Sequence, residues 1–395
     1  MIKNKIIIIL LIIALGIFSG ALGSLFARIY LFESLLEVPL FGDIDFSQNP
    51  LERPDVIISG ARNVVVTQDT KAYDALSAVE SNIVGIYKKK ASSSKITKLD
   101  TKINLDNWYD IDETLGQGFI ITSDGWLVSS FSPLEAINRR ARNFASTSVD
   151  KIAQNYVIIN SNKKVLLVDK IIYDPISQVS FYHIISENLP VKNFINLESA
   201  RSGQLVLAAN LKKQAWLTTM LGHESRIKNK IKSSDFYQNL YILEQAPPES
   251  FYGSFLFALD NSLMAIINNQ GEVLPIDNFL PCLNCLLDNN FIVRPSLGLS
   301  YVDLSNYTKI GLAESKFGAL ITVGLGKKAI QTGSPADVYG LEIGDIILAV
   351  NNVELKDGKN LSAEINNKLP GDELSFFIER GDKNIEIEII LDELK

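Results

Sequence analysis

The spacing of hydrophobic positions changes its period several times along this chain. An uncharged stretch from Ile6 to Ala27 comes first, preceded by Lys3 and Lys5 and closed by Arg28. Farther on, DTKAYDALSAVE places Ala72, Leu76 and Val79 near one face, which predicts a helix. From Ile83 the pattern becomes short, alternating and β-branched: NIVGIY, GQGFIIT, GWLVSS, NYVIIN, KKVLLVD and QVSFYHII. A second group follows, QLVLAAN, QAWLTTMLG, NLYILE, GSFLFAL and SLMAIIN. Many short strands split into two groups predict paired antiparallel barrels rather than a βαβ sheet. A helix is expected in IDNFLPCLNCLLD. The last hundred or so residues mix strands (ALITV, DIILAVNN, LSFFIER, IEIEIILDE) with helices around Pro335–Tyr339 and Leu361–Asn367, a small α+β domain.

The apolar stretch at the N-terminus would span about 33 Å as a helix, enough for a hydrocarbon core of about 30 Å. The small-residue run SGALGS, Ser19–Ser24, leaves signal-peptide cleavage open. Lysines before the span and Glu33, Glu37, Asp43 and Asp45 after it predict a cytoplasmic N-terminus, a single-pass anchor in the cell membrane and an extracytoplasmic bulk. Pro39, Pro50 and Pro54 then interrupt any long helix, so a membrane-proximal stalk is expected before the folded part.

Composition narrows the chemistry. The net charge is −7, so a nucleic-acid partner is not expected. The only cysteines are Cys282 and Cys285, and the only histidines His183 and His223. One CxxC with no second ligand pair is too poor for a zinc site, and the cysteines read as small apolar helix residues. No metal or cofactor is expected. With two histidines, few positions can supply a general base.

Several segments resemble the HtrA/Deg family of trypsin-like serine proteases. GQGFIITSDGWLVSS is similar to the strand–turn–strand that leads to the family's catalytic histidine, and DKIIYDPISQVSFYHI to the segment bearing its catalytic aspartate. PVKNFINLESARSGQLVLAAN looks like the interbarrel connection and first strand of the second barrel. GSFLFALDNSLMAIINNQGEVLPIDNF resembles the strands after the catalytic serine. RPSLGL, TGSPADVYGLEIGDIILAVNNVEL and KLPGDELSFFIERGDKNIEIEI resemble a PDZ domain. The implied fold is mainly β: a chymotrypsin/trypsin-like double antiparallel β-barrel followed by an α+β PDZ domain, with an N-terminal transmembrane helix. The corresponding boundaries are 1–28 for the anchor, 29–70 for the stalk, 71–276 for the barrels, 277–291 for a linker helix and 292–395 for the PDZ domain.

At the three positions where the family carries its triad, this sequence has Ser132, Gln178 and Tyr252. A serine hydroxyl is a weak nucleophile without an adjacent base, Ser132 cannot accept a proton near neutral pH, and Gln178 has no charge to orient such a base. Ser250-Phe251-Tyr252-Gly253-Ser254 replaces the family's Gly-Asn-Ser-Gly-Gly, so the loop also loses glycines that help aim oxyanion-hole amides. The expectation is a pseudoprotease, not an enzyme, that takes part in protein quality control. An endopeptidase with a non-standard site and an oligomeric scaffold are the alternatives. His183 reads as a core or edge residue, His223 as a hairpin-tip residue.

For the PDZ domain the resemblance implies strand addition of a peptide whose terminal carboxylate meets the amides of Ser296-Leu297-Gly298-Leu299. Leu297 and Leu299 would border an apolar pocket for its last side chain. The expected partners are therefore protein or peptide C-termini and misfolded segments, with the membrane engaged by the N-terminal helix. The resemblance also allows assembly into a homotrimer.

Overall fold

The computed structural model describes residues 15–16, 19–20, 68–90, 108–135, 147–148, 150–226, 229–289, 291–308, 317–323, 328–356 and 358–394. The expected membrane span and stalk lie almost wholly outside these residues. Among the described residues no helix is long and apolar enough to cross a membrane.

Helix α1 (Gln68–Val79) buries Val79 of the expected face fully and Ala72 and Leu76 in part, and also buries Ala75. It leads into a first sheet of β1 (Ile83–Lys88), β2 (Gly116–Ile120), β3 (Trp126–Ser129), β4 (Thr147–Ser148), β5 (Tyr156–Ile159), β6 (Val165–Asp174) and β7 (Val179–Ile184). The strand order is β4-β6-β5-β1-β2-β3-β7, and a further β6–β7 pairing closes it into a barrel. Short helix α2 (Asp150–Ala153) precedes β5. Alternation is visible where β6 is half-solvated: Leu166 and Val168 are buried while Val165 and Leu167 are exposed. Among the described residues, the β6–β7 pairing leaves β4 as the unpaired edge of this sheet.

The second barrel uses β8 (Leu205–Ala209) and β9 (Ala215–Ser225), then β10 (Ile231–Ser233), which leaves it, and β11 (Asn239–Leu243), β12 (Phe255–Ala258), β13 (Leu263–Ile267) and β14 (Val273–Pro275). Its order is β11-β9-β8-β12-β13-β14, with β11 returning beside β14. Phe119 of the first barrel stacks at 5.4 Å between centroids on both Phe255 and Phe257 of the second. That aromatic seam continues through Phe181 and Phe279 to the linker helix α3 (Leu280–Asn289), which buries Cys282 and Leu286. Both cysteines are buried thiols on this helix, where small apolar residues were expected.

The C-terminal domain comprises β15 (Pro295–Ser296), β16 (Ser300–Asp303), β17 (Ala319–Ile321), α4 (Pro335–Val338), β18 (Ile346–Val350), β19 (Val353–Glu354), α5 (Leu361–Asn366), β20 (Glu373–Arg380), β21 (Lys383–Ile390) and β22 (Asp392–Glu393). Ser334 stands at the N-cap of α4 with Pro335 in its first turn, as expected. The sheet runs β10-β16-β17-β18-β20-β21, so its first strand comes from inside the region assigned to the barrels. The separation at residues 276 and 292 is therefore crossed. IKSSD has no hydrophobic alternation and reads as a loop, because its pairing is with a distant edge and not with a neighbour.

Arg294 joins the barrels to this domain. Its Nη2 meets Asp174 Oδ2 at 2.5 Å, its Nε bonds Asp174 Oδ1 at 3.3 Å, and its Nη1 bonds Asn366 Oδ1 at 2.7 Å. Burial alone would push the Asp174 carboxyl up, but Arg294 and the Ser177 hydroxyl and amide hold it below its usual range. Removing one partner strands a buried charge, so Arg294→Met and Asp174→Asn should each destabilise by about 3–5 kcal/mol. The double variant should fall well short of the sum in a urea-unfolding cycle; additive losses would show that the two groups act independently.

A half-buried carboxylate behaves oppositely. Burial lifts Asp277 to about 6, although the Leu197 amide donates to it and lowers it in part. A carboxyl with a raised folded-state value gives stability that is full below its unfolded value of about 4 and lost as pH rises through about 6. Asp277→Asn should flatten the fall in melting temperature between about pH 4.5 and about pH 7. The same slope in both proteins would rule this out.

Candidate functional site

Ser132 lies just after β3, where its hydroxyl accepts the Leu134 amide at 3.1 Å, an ordinary serine turn. Gln178 closes the Asp174–Gln178 turn with a φ of 59°, and its amide donates to the Asp174 carbonyl at 2.9 Å. Its side-chain oxygen accepts from Arg226 Nη2 at 3.1 Å, and Arg226 also pairs with Glu272 at 2.6 Å. Tyr252 ends the short 3₁₀ turn Glu249–Phe251, and its ring lies over Gly271, where an added Cβ would come within 2.8 Å of the ring and hydroxyl. Among the described residues no hydrogen bond joins any two of Ser132, Gln178 and Tyr252.

The loop around Tyr252 satisfies its own amides. Phe251 N–H donates to the Pro248 carbonyl at 2.8 Å and Tyr252 N–H to the Glu249 carbonyl at 3.0 Å. Gly253 N–H donates to the Ile267 carbonyl at 2.9 Å. In this conformation the Tyr252 and Gly253 amides point into the fold. Ser130, at the end of the strand leading to Ser132, has a buried hydroxyl without a partner. It faces Gly253, whose added Cβ would lie 3.8 Å from it, so the two loops do converge.

His183 sits within β7 opposite Trp126, with ring centroids 4.9 Å apart, and its Nδ1 meets Asp169 Oδ1 at 2.7 Å. His223 differs from expectation: it lies inside β9, paired with Tyr241, because β9 runs on through Ser225. Among the described residues neither histidine is hydrogen-bonded to Ser132, Gln178 or Tyr252.

In the loop Ser296-Leu297-Gly298-Leu299, the first three residues hold the carboxylate of Asp235 from this same chain. Leu297 N–H and Gly298 N–H donate to Asp235 Oδ1 at 2.8 and 3.1 Å, and Ser296 Oγ–H donates to Asp235 Oδ2 at 2.8 Å. Gly298 makes the convergence feasible. Its φ is +80°, and a Cβ there would lie 2.3 Å from Ser334 Cβ. Leu297 and Leu299 do not border an open pocket; they are 0% and 2% exposed and belong to the domain core, next to Tyr301, Ala336 and Leu341. Asp235, the residue that sequence reasoning missed, comes from a polar loop segment with no local signal to single it out.

Two antiparallel barrel-like sheets packed across an aromatic seam, followed by an α+β domain whose loop holds a carboxylate, define a trypsin-like double barrel with a further C-terminal domain. Residues 295–391 match the PDZ domain family. A probable periplasmic serine endoprotease, DegP-like, from Chlamydia muridarum is 25% identical over 296 residues, covering 72% of this chain and 55% of that protein. A DegP-like counterpart from Hahella chejuensis is 24% identical over 295 residues, covering 70% of this chain and 57% of its own length. The chain thus spans little more than half the length of these relatives. Among solved structures, an HtrA-type protease AlgW with tripeptide superposes with a TM-score of 0.54 at 14% identity, covering 82% of this chain and 97% of that one. AlgW with decapeptide gives a TM-score of 0.52 at 16% identity, with 82% and 99% covered, so both speak for the fold.

This chain is therefore similar to HtrA/DegP proteins in its trypsin-like protease fold, and its C-terminal part matches the PDZ domain family. The expectation that it is not an enzyme is corrected by the same relatives, which are named as serine endoproteases. Residue losses at three aligned positions are a local observation, whereas the likeness extends over 72% of the chain.

Proposed function

We propose that this protein is a membrane-anchored, extracytoplasmic HtrA-type protein that captures peptide C-termini or misfolded segments through its PDZ domain, in protein quality control. The observation that carries the reading is the carboxylate geometry: two backbone amides and one hydroxyl of the loop converge on a single carboxylate at 2.8–3.1 Å. Charge-assisted bonds of this kind are the recognition element for a chain terminus. The solved HtrA-type structures it resembles carry a bound tripeptide or decapeptide, which supports a peptide as the ligand class. The apolar stretch Ile6–Ala27 supports the anchor.

Binding is tested on the full-length chain in mild detergent, with Asp235→Ala used to empty the loop. Peptides with a free C-terminal carboxylate should bind, and their amidated counterparts should bind at least about tenfold more weakly. Gly298→Trp, checked for folding by thermal melting, should abolish the difference. Indifference to amidation would overturn the reading.

The relatives' names favour a second activity, serine endopeptidase, alongside capture. Under this reading the full chain cuts unfolded casein and a fluorophosphonate probe labels one serine, identified by mass spectrometry. Absence of both cutting and labelling overturns it.

A further inference from the structure

The carboxylate in the cradle does not arrive alone. Ile231, Lys232 and Ser233 of β10 pair antiparallel with Val302, Tyr301 and Ser300 of β16. The pairing continues past the strand end: Ser234 N–H donates to the Leu299 carbonyl at 2.9 Å, and Leu299 N–H donates to Ser234 Oγ at 3.1 Å. Asp235 then delivers its side chain to the amides of Leu297 and Gly298. Ser234 and Asp235 are 1% and 5% exposed. Extended backbone on the sheet edge followed by a carboxylate in the loop is the full set of contacts that a peptide C-terminus would make there. In this register Ser234 stands where the last residue of such a peptide would stand, with the Asp235 carboxylate in place of its terminal one.

Lys232, two positions earlier, places Nζ 3.4 Å from Asp303 Oδ2 on β16, with the two side chains only 23% and 13% exposed. Among the described residues Asp303 otherwise accepts the Ser305 amide, through its other oxygen. A peptide replacing residues 231–235 would leave Asp303 half-buried without a cation unless it supplied one. A Glu at that position would bring two carboxylates together.

We propose that residues 231–235 are an internal ligand of the PDZ groove, and that the external ligand class is a C-terminal peptide with Lys or Arg two residues before its last. The inference rests on the peptide-binding reading above and deepens it. Such a peptide enters by exchange with the internal strand, so its apparent affinity is reduced by the fraction of time the groove is closed.

The probe is a fluorescein-labelled peptide ending Gly-Gly-Ile-Lys-Ser-Ser with a free carboxylate, followed by anisotropy on the full-length protein in detergent. Asp235→Ala should bind it at least about tenfold more tightly than wild type. Replacing the peptide's Lys by Glu should weaken binding about tenfold in Asp235→Ala, and Asp303→Asn in that background should remove most of this preference. Amide hydrogen exchange, read without peptide, should show Leu297 and Gly298 protected in wild type and released by Asp235→Ala, with the barrel strands unchanged. Equal affinities, or equal exchange at Leu297 and Gly298, overturn the internal ligand while leaving peptide capture intact. A peptide preference for Lys that survives Asp303→Asn overturns the assignment of the cation site. Released amides with no peptide binding to either protein overturn the capture reading and the exchange built on it.

Discussion

One guanidinium holds the described fold together. Arg294 is 6% exposed, yet it bonds the Asp174 carboxylate of the first barrel, the Asn278 carbonyl ahead of the linker helix and the Asn366 side chain at the end of α5. Arginine can do this because its planar fork offers donors in several fixed directions, which lysine does not. Asp174 is also the residue that organises the turn to Gln178: its carboxylate receives the Ser177 amide at 3.0 Å and the Ser177 hydroxyl. The geometry of one loop in the first barrel and the docking of the C-terminal domain thus share a single buried ion pair. Such a pair adds little net stability against an apolar substitute, but its geometry leaves few alternative arrangements.

The second tie between the two parts is of a different character. Ser234 and Asp235, on the segment between β9 and β11, reach the PDZ loop through a backbone bond and side-chain bonds that a peptide terminus could replace. The Arg294 tie has no such substitute. The docking therefore has a fixed side at Arg294 and an exchangeable side at β10. The loop that carries Tyr252 lies in the second barrel, and its amides are closed on the Pro248, Glu249 and Ile267 carbonyls. Arg226, which follows β9 and bonds both Gln178 and Glu272, stands on the chain between that barrel and β10.

Most strands of both barrels and of the PDZ sheet were legible as short β-branched or apolar runs bounded by turn residues. NIVGIY, QVSFYHII and SLMAIIN all appear as strands within a residue or two of the expected ends. The carboxylate loop was expected from the resemblance of RPSLGL to the start of a PDZ domain. Three features were not. His223 extends a strand past a glycine that looked like a turn, because β9 is long enough to pair with β11 beyond it. Leu297 and Leu299 face the core and not a groove, which spacing alone does not decide. Asp235 is the largest miss. Lys232, Ser233, Ser234 and Asp235 have no apolar member, and their role depends on partners some sixty positions away in sequence.

The origin of β10 also bears on how the chain acquires its structure. Most strands of these sheets close short loops, but pairing Ser233 with Ser300 requires closure of a long one that contains β11 to β14 and the linker helix. Loop-closure entropy and the low apolar content of IKSSD make this pairing a late event. During synthesis the second barrel emerges before the PDZ loop, so β10 waits as an unpaired extended segment until residues 295–303 arrive. Lys230 and Lys232 charge that waiting edge, a common way in which sheet proteins discourage pairing with another chain.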